Sequence, residues 1–456
     1  MTPLWTAQSI ADATGGTVHG DFDATGVTFD SREVGGGELF VAMPGQETDG
    51  HRFVGGAFEN GAAGALVSRA VEGPHVRVED TAAALNALAR AARARAAARI
   101  VGVTGSAGKT GVKEALASAL ARHPDARVHR SVKSHNNHTG VPLSLARMPA
   151  DSTHAVLEMG MNHPGELSAL TALVRPNVAL VTTIAPAHQE FFPSLDAIAE
   201  AKGEIFEGLE PDGVAIVPAD SPQRPVLERA AAGHRLVTFG RAADADVRLI
   251  DADPHPHGGT ILSVALGERS LQLRVAAPGE HWAVNALAVL AAVDAVGGDL
   301  AIAGLALAEW TPPAGRGERH PLRLPGGTAI LIDESYNANP ASMAATLAVL
   351  GAEPATRRIA VLGAMRELGA GSAAFHAALA GPVTDASPDT VVLVGEEMTT
   401  LADALLDTGV AVTHCADAAA ASAALADLIA PGDVVLVKGS NGVGLDRVVR
   451  DRIEAA

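Results

Sequence analysis

A lysine and a threonine close a short glycine-rich run, Gly105-Ser106-Ala107-Gly108-Lys109-Thr110, with Gly111 directly behind. Backbone N–H groups of such a loop, at the mouth of a helix, can cradle phosphate oxygens. The lysine of such a loop reaches the outer phosphates of a nucleotide, and a hydroxyl beside it can ligate Mg²⁺. The context supports this chemistry: an apolar, β-branched run, Ile100–Thr104, precedes the loop, and Val112–Leu120 behind it has a helical pattern. The spacing is shorter than the standard phosphate loop, because position 103 is Val103 and the first glycine is Gly105. A bare Gly-Lys-Thr string also occurs in structural turns; the strand before and the helix after favour a nucleotide here.

Four further residues could join that chemistry. Glu158 ends the apolar run Ala155–Leu157, where a carboxylate beside a phosphate-loop sheet can anchor Mg²⁺. A solvent-facing strand end explains it equally well. His188 follows a strand-like run and Ala185-Pro186-Ala187; alone it reads as a structural loop histidine. Lys202 alone reads as a solvated helix charge, and Asn285, whose amide could match an adenine edge, as an ordinary polar helix residue.

The composition bears on partners and on the lysines. The 456 residues carry 34 basic and 52 acidic side chains, a net charge of −18. Such an acidic chain argues against a nucleic-acid backbone as partner but leaves a local phosphate site open. One cysteine, Cys415, excludes an internal disulfide and suits a reducing compartment. The N-terminus has no basic, apolar signal-peptide pattern, and Trp282–Val293 is too short for a bilayer span, so no membrane insertion is expected. Only five of the 34 basic residues are lysines: Lys109, Lys113, Lys133, Lys202 and Lys438. Where arginine serves every generic charge, a retained lysine points to a position arginine cannot fill.

The elements that position these residues alternate. Strand-like runs at Arg99–Val103, His154–Glu158, Val178–Ile184, Thr328–Asp333, Arg358–Leu362, Thr390–Val394 and Asp433–Val437 each lead into a helical segment or glycine-rich turn. That pattern predicts an α/β fold with mainly parallel sheets. Three blocks are expected: 1–83, a small glycine-rich domain; 84–313, opening with the helix Ala82–Ala98; and 314–456, a doubly wound Rossmann-like domain. The run Thr311–Gly317, with two prolines and two glycines, reads as the linker between the last two.

Several segments, in order along the whole chain, resemble the Mur ligases. They are Gly105–Glu114, Asn136-Asn137-His138-Thr139-Gly140-Val141-Pro142-Leu143, Glu158–Glu166, Ser335–Met343, Leu362–Gly369 with His376, and Lys438-Gly439-Ser440. Near the start, Asp30-Ser31-Arg32, Leu39–Ala42 and Asp49-Gly50-His51 are similar to the family's UDP-substrate domain. Tyr336-Asn337-Ala338-Asn339-Pro340 is the most discriminating segment. It resembles the branch that adds D-alanyl-D-alanine to a UDP-muramyl-tripeptide, whereas branches adding a single amino acid typically differ there.

The resemblance implies a cytoplasmic, ATP-dependent amide-bond ligase acting as a monomer, with a central phosphate-loop ATPase sheet. It implies that Gly105 to Gly111 bind ATP and that Thr110, Glu158, His188 and Lys202 hold two Mg²⁺ ions, Lys202 as a carbamate. It places Lys109, His188 and Lys202 in catalysis, Asn285 on adenine, Arg316 on the phosphates, Asp333 on the ribose, and Tyr336 and Asn337 near the nucleotide. Ser31 and Arg32 would contact the UDP-linked substrate. The chain departs from the family pattern at Gly111, where a hydroxyl residue is common, at Ala364, at Asn441, and at Leu445-Asp446. Alternatives are a sister ligase for a single amino acid, an ATPase that hydrolyses ATP without an acceptor, and a UDP-sugar-binding regulator.

Overall fold

A computed structural model describes residues 3–45, 48–186, 190–256 and 258–456. The fold is α/β, built around three main sheets. The first, from residues 17–77, has five strands in the order Thr17–His19, His75–Arg77, Gly64–Val67, Glu38–Val41 and Gly26–Thr28, antiparallel only at its first pair.

The second sheet has nine strands and carries the glycine-rich loop. Its strand Arg99–Thr104 lies between His154–Glu158 and Val178–Val181, parallel to both. Successive residues of Arg99–Thr104 face opposite layers, as a strand's twofold alternation requires. Val101 and Val103 pack with Leu116 and Leu120 of the helix Lys109–Ala121 and with Leu287 and Leu290 of the helix Glu280–Ala295. Ile100 packs on the other face with Leu157, Ile198 and Phe206. Both faces are covered, which accounts for the nearly continuous apolar strand sequences.

The third sheet has six strands in the order Glu318–Leu324, Gly327–Glu334, Asp433–Lys438, Arg357–Gly363, Thr390–Val394 and Ala411–Cys415. All but the first run parallel.

One sequence expectation needs correction. Val178–Ile184 is not one strand: pairing stops at Val181, and the next four residues turn to hold the glycine-rich loop. The central sheet is mainly parallel, as the alternation implied. It ends in two antiparallel strands, Thr260–Leu266 and Arg269–Val275, paired beyond Val247–Pro254. The Trp282–Val293 segment is a buried helix, and among the described residues no helix is long and apolar enough to cross a membrane.

Candidate active site

The glycine-rich loop is shaped by what touches it. Gly105 has φ +150°, and a Cβ there would stand 1.9 Å from Thr182 Oγ1. The Thr182 hydroxyl donates to the carbonyl of Ala107 at 2.5 Å. Ser106 N–H donates to Thr183 O at 2.8 Å, and the Ser106 hydroxyl accepts from Ala185 N–H at 3.0 Å. Residues 182–185 therefore leave the sheet because their polar groups are needed to fix the loop. Gly108, at φ +81°, opens the helix Lys109–Ala121, whose first N–H groups have no partner within the helix.

Behind the loop, Thr110 Oγ1 donates to Glu158 Oε2 at 2.7 Å, and Asn136 Nδ2 donates to Glu158 Oε1 at 2.7 Å. Glu158 is 1% exposed, so it is not the solvent-facing strand end that its segment alone allowed. Ser134 Oγ lies 3.3 Å from Thr110 Oγ1 and accepts from Arg316 Nη2 at 2.9 Å. The half-buried Lys109 donates to Gly105 O at 2.7 Å. Burial lowers its pKa, Glu158 opposes that shift, and the Arg316 charge adds to it.

Lys202 is 2% exposed, which overturns its reading as a solvated charge. Burial, with the charge of Lys109, lowers its pKa well below the usual lysine range. His188 lies outside the described residues.

The remaining nucleotide candidates form the surrounding wall. A Cβ at Gly108 would stand 3.2 Å from Asn285 Oδ1. Gly111 lies under Trp282, where a Cβ would meet Cη2 at 2.8 Å, so the side chain common elsewhere has no room. The Arg316 guanidinium sits over the Tyr336 ring, 4.2 Å from its centroid. Asp333 is 6% exposed; its carboxylate accepts from Gly315 N–H at 2.9 Å and from the Ser335 hydroxyl at 2.6 Å, so it shapes the linker turn. Asn337 Oδ1 accepts from Ala338 N–H at 2.9 Å, and its carbonyl accepts from Lys438 Nζ at 3.0 Å.

Ser31 and Arg32 lie on the turn Ser31–Glu33, apart from this cluster. Arg32 is held by Asp30 at 2.7 Å and holds that carboxyl down at a pKa of about 2. Glu33, next in the chain, pairs with Lys133, three residues before Asn136.

Family models match this chain almost end to end: "Mur ligase family, catalytic domain" over 23–130, "Mur ligase middle domain" over 103–293, and "Mur ligase, glutamate ligase domain" over 315–441. It is 36% identical to the UDP-N-acetylmuramoyl-tripeptide--D-alanyl-D-alanine ligase of Escherichia coli K12, over 98% of this chain and 97% of the relative. The chain belongs to the Mur ligase family.

Solved structures agree with the placement of this Mur ligase. One of MurF from Acinetobacter baumannii superposes with a TM-score of 0.86 at 30% identity, covering 99% of each chain. The MurF ligase of Thermotoga maritima in complex with ADP gives 0.78 at 28% identity, covering 94% of this chain and 97% of that one.

Sequence reasoning did not assign roles to Asn136, Ser134, Lys113 or Asn339 of this Mur ligase. Asn339 caps the helix Pro340–Ala352 through Oδ1, and its Nδ2 donates to Ser106 O at 3.2 Å, joining the C-terminal sheet's first helix to the loop. Asn136 and Asn339 stood inside motifs already noticed, and Lys113 was marked by lysine scarcity.

Proposed function

We propose that this Mur ligase joins D-alanyl-D-alanine to UDP-N-acetylmuramoyl-tripeptide, with ATP, to give the pentapeptide precursor of peptidoglycan. The near full-length likeness to the E. coli enzyme of that name carries the reading. The convergence of Lys109, Thr110, Glu158 and Arg316 on one loop supplies the means. The reading assigns the enzyme to the cytoplasm and divides it into substrate, ATP and ligase domains at 1–83, 84–313 and 314–456.

A carboxylate does not condense with an amine directly, because oxide is a poor leaving group. The tripeptide carboxylate attacks the γ-phosphorus of ATP, ADP leaves, and an acyl phosphate forms. The free amine of D-alanyl-D-alanine attacks the acyl carbon. Phosphate leaves, and the amine proton is released.

The N–H groups at the start of helix Lys109–Ala121 orient the phosphates, and Lys109 and Arg316 offset charge on the transferring group. The Thr110 hydroxyl and Glu158 carboxylate are hard oxygen donors, the kind Mg²⁺ takes, and they are already in contact. They would hold one ion, with His188 and Lys202 completing a second site. Bound Mg²⁺ supplies charge neutralisation that lets two anions approach. A neutral amine adds CO₂ and loses a proton to give a carbamate; the buried, pKa-lowered Lys202 suits that conversion into an anionic oxygen donor. Asn339 ties the C-terminal sheet's first helix to the glycine-rich loop, and Tyr336 lies under Arg316; closure of that domain would exclude water from the acyl phosphate.

The test is acceptor identity. With UDP-muramyl-tripeptide and ATP, D-alanyl-D-alanine yields a product heavier by one dipeptide residue, read by mass. Equal or better turnover with a single amino acid would assign the chain to a sister activity.

A further inference from the structure

Lys113 stands one helical turn beyond Lys109 and is 0% exposed. Its ammonium donates to the carbonyls of Ser131 at 2.9 Å and Lys133 at 2.7 Å, and pairs with Glu114 at 2.9 Å. An ammonium has three donors, and each has a partner here. The two carbonyls belong to a strap that follows the strand Val128–Arg130. Lys133 takes φ +53° in this strap, a left-handed conformation costly for a lysine and kept only where the surroundings enforce it.

The strap touches Thr110, Glu158 and Arg316. Ser131 Oγ accepts from Glu158 N–H at 3.0 Å, and Ser134 Oγ meets Thr110 and Arg316. Asn136 holds Glu158, and its carbonyl accepts from Gly160 N–H at 2.8 Å. The Lys133 ammonium reaches Glu33, beside Ser31 and Arg32.

We propose that Lys113 is a positioning residue for ligation, pinning the Ser131–Asn136 strap so that Ser134 and Asn136 hold Thr110 and Glu158 in register. It touches neither ATP nor the reacting carboxylate; it acts through the strap. The proposal rests on the ligase reading given above. Lysine fits because a compact ammonium can serve two carbonyls and a carboxylate at once, whereas the planar arginine fork is larger and fixed in direction.

The experiment measures kcat, KM for ATP and thermal midpoint for Lys113→Met, Asn136→Ala, Ser134→Ala and the double variant Lys113→Met/Asn136→Ala. Lys113→Met and Asn136→Ala should each lower kcat by about 10- to 100-fold. The double variant should be no slower than the slower single, because both act on Glu158 through one strap. Losses that multiply would overturn the proposal and leave Lys113 a structural residue, as would wild-type kcat in Lys113→Met. If Lys113→Met does not fold, Lys113→Gln takes its place: wild-type kcat, or a loss that multiplies with that of Asn136→Ala, overturns the proposal, and a kcat loss at unchanged thermal midpoint that does not add to that of Asn136→Ala sustains it. A wild-type enzyme that releases no phosphate fails the ligase reading itself; an active wild type with an equally active Lys113→Met fails this proposal alone.

Discussion

The Thr110 hydroxyl donates to the Glu158 carboxylate across 2.7 Å, joining the first turn of the phosphate-loop helix to the end of the neighbouring strand. In the proposed reading, the nucleotide's outer phosphates lie beside these two oxygen donors. Thr110→Val and Glu158→Gln should each lower kcat by about two orders of magnitude, the scale of losing one preorganised electrostatic contact. The requirement for free Mg²⁺ should rise in both. Steady-state rates over a Mg²⁺ titration check this; an unchanged Mg²⁺ dependence would remove the pair from the metal site.

Gly105 is the loop position least able to accept a side chain. Its φ of +150° disfavours any other residue, and Thr182 Oγ1 stands 1.9 Å from where a Cβ would be. Gly105→Ala should abolish ATP binding by calorimetry and cost roughly 2–4 kcal/mol of stability. Adding Thr182→Ala should recover part of the stability, because the steric clash goes while the backbone strain stays. Normal ATP affinity in Gly105→Ala would contradict the loop assignment.

Lys202 separates two chemistries. As a carbamate it is an anionic oxygen donor; as an amine it is not. Lys202→Arg should be inactive, because a guanidinium stays cationic where the carbamate is anionic, and wild-type activity lost on stripping bicarbonate should return when bicarbonate is restored. Mass analysis of a metal-bound, non-denatured sample would show the added CO₂. A fully active Lys202→Arg would exclude the carbamate.

His129 predicts acid sensitivity of the fold. Its Nε2 lies 2.7 Å from Ser144 O, and burial, reinforced by Arg147 and Arg130, lowers its pKa from 6.5 to about 4. The unfolded chain therefore binds a proton that the folded chain refuses between about pH 6.5 and 4. Stability from this group is present above that window and lost as pH falls through it, by up to about 3 kcal/mol. His129→Gln keeps an amide donor but does not titrate. The stability difference between wild type and variant should shift with pH across the window; a flat difference would show that His129 is not held neutral.

Much of the frame around the candidate site was legible because its parts have local signatures. A strand, a glycine-rich loop and a helix announce a phosphate cradle whatever surrounds them, and the strands at 154–158, 390–394 and 433–437 could be read from apolar runs alone. What could not be read was non-local. Nothing in the apolar run Val178–Ile184 reveals that its last residues bond to the loop of a neighbouring strand. Lys202 has a helix-surface sequence context, and only tertiary packing buries it. The bond from Asn339 to Ser106 spans 233 residues, and the hold of Lys113 on its strap is a carbonyl contact, invisible to side-chain patterns.

The central claim is ligation driven by ATP, and its most direct test is phosphate release with substrates omitted in turn. ATP, Mg²⁺, UDP-muramyl-tripeptide and D-alanyl-D-alanine together should release phosphate in a one-to-one ratio with pentapeptide product. Omission of either amide partner should reduce sustained release to background. Sustained release without D-alanyl-D-alanine would mark the chain as an ATPase and contradict the account.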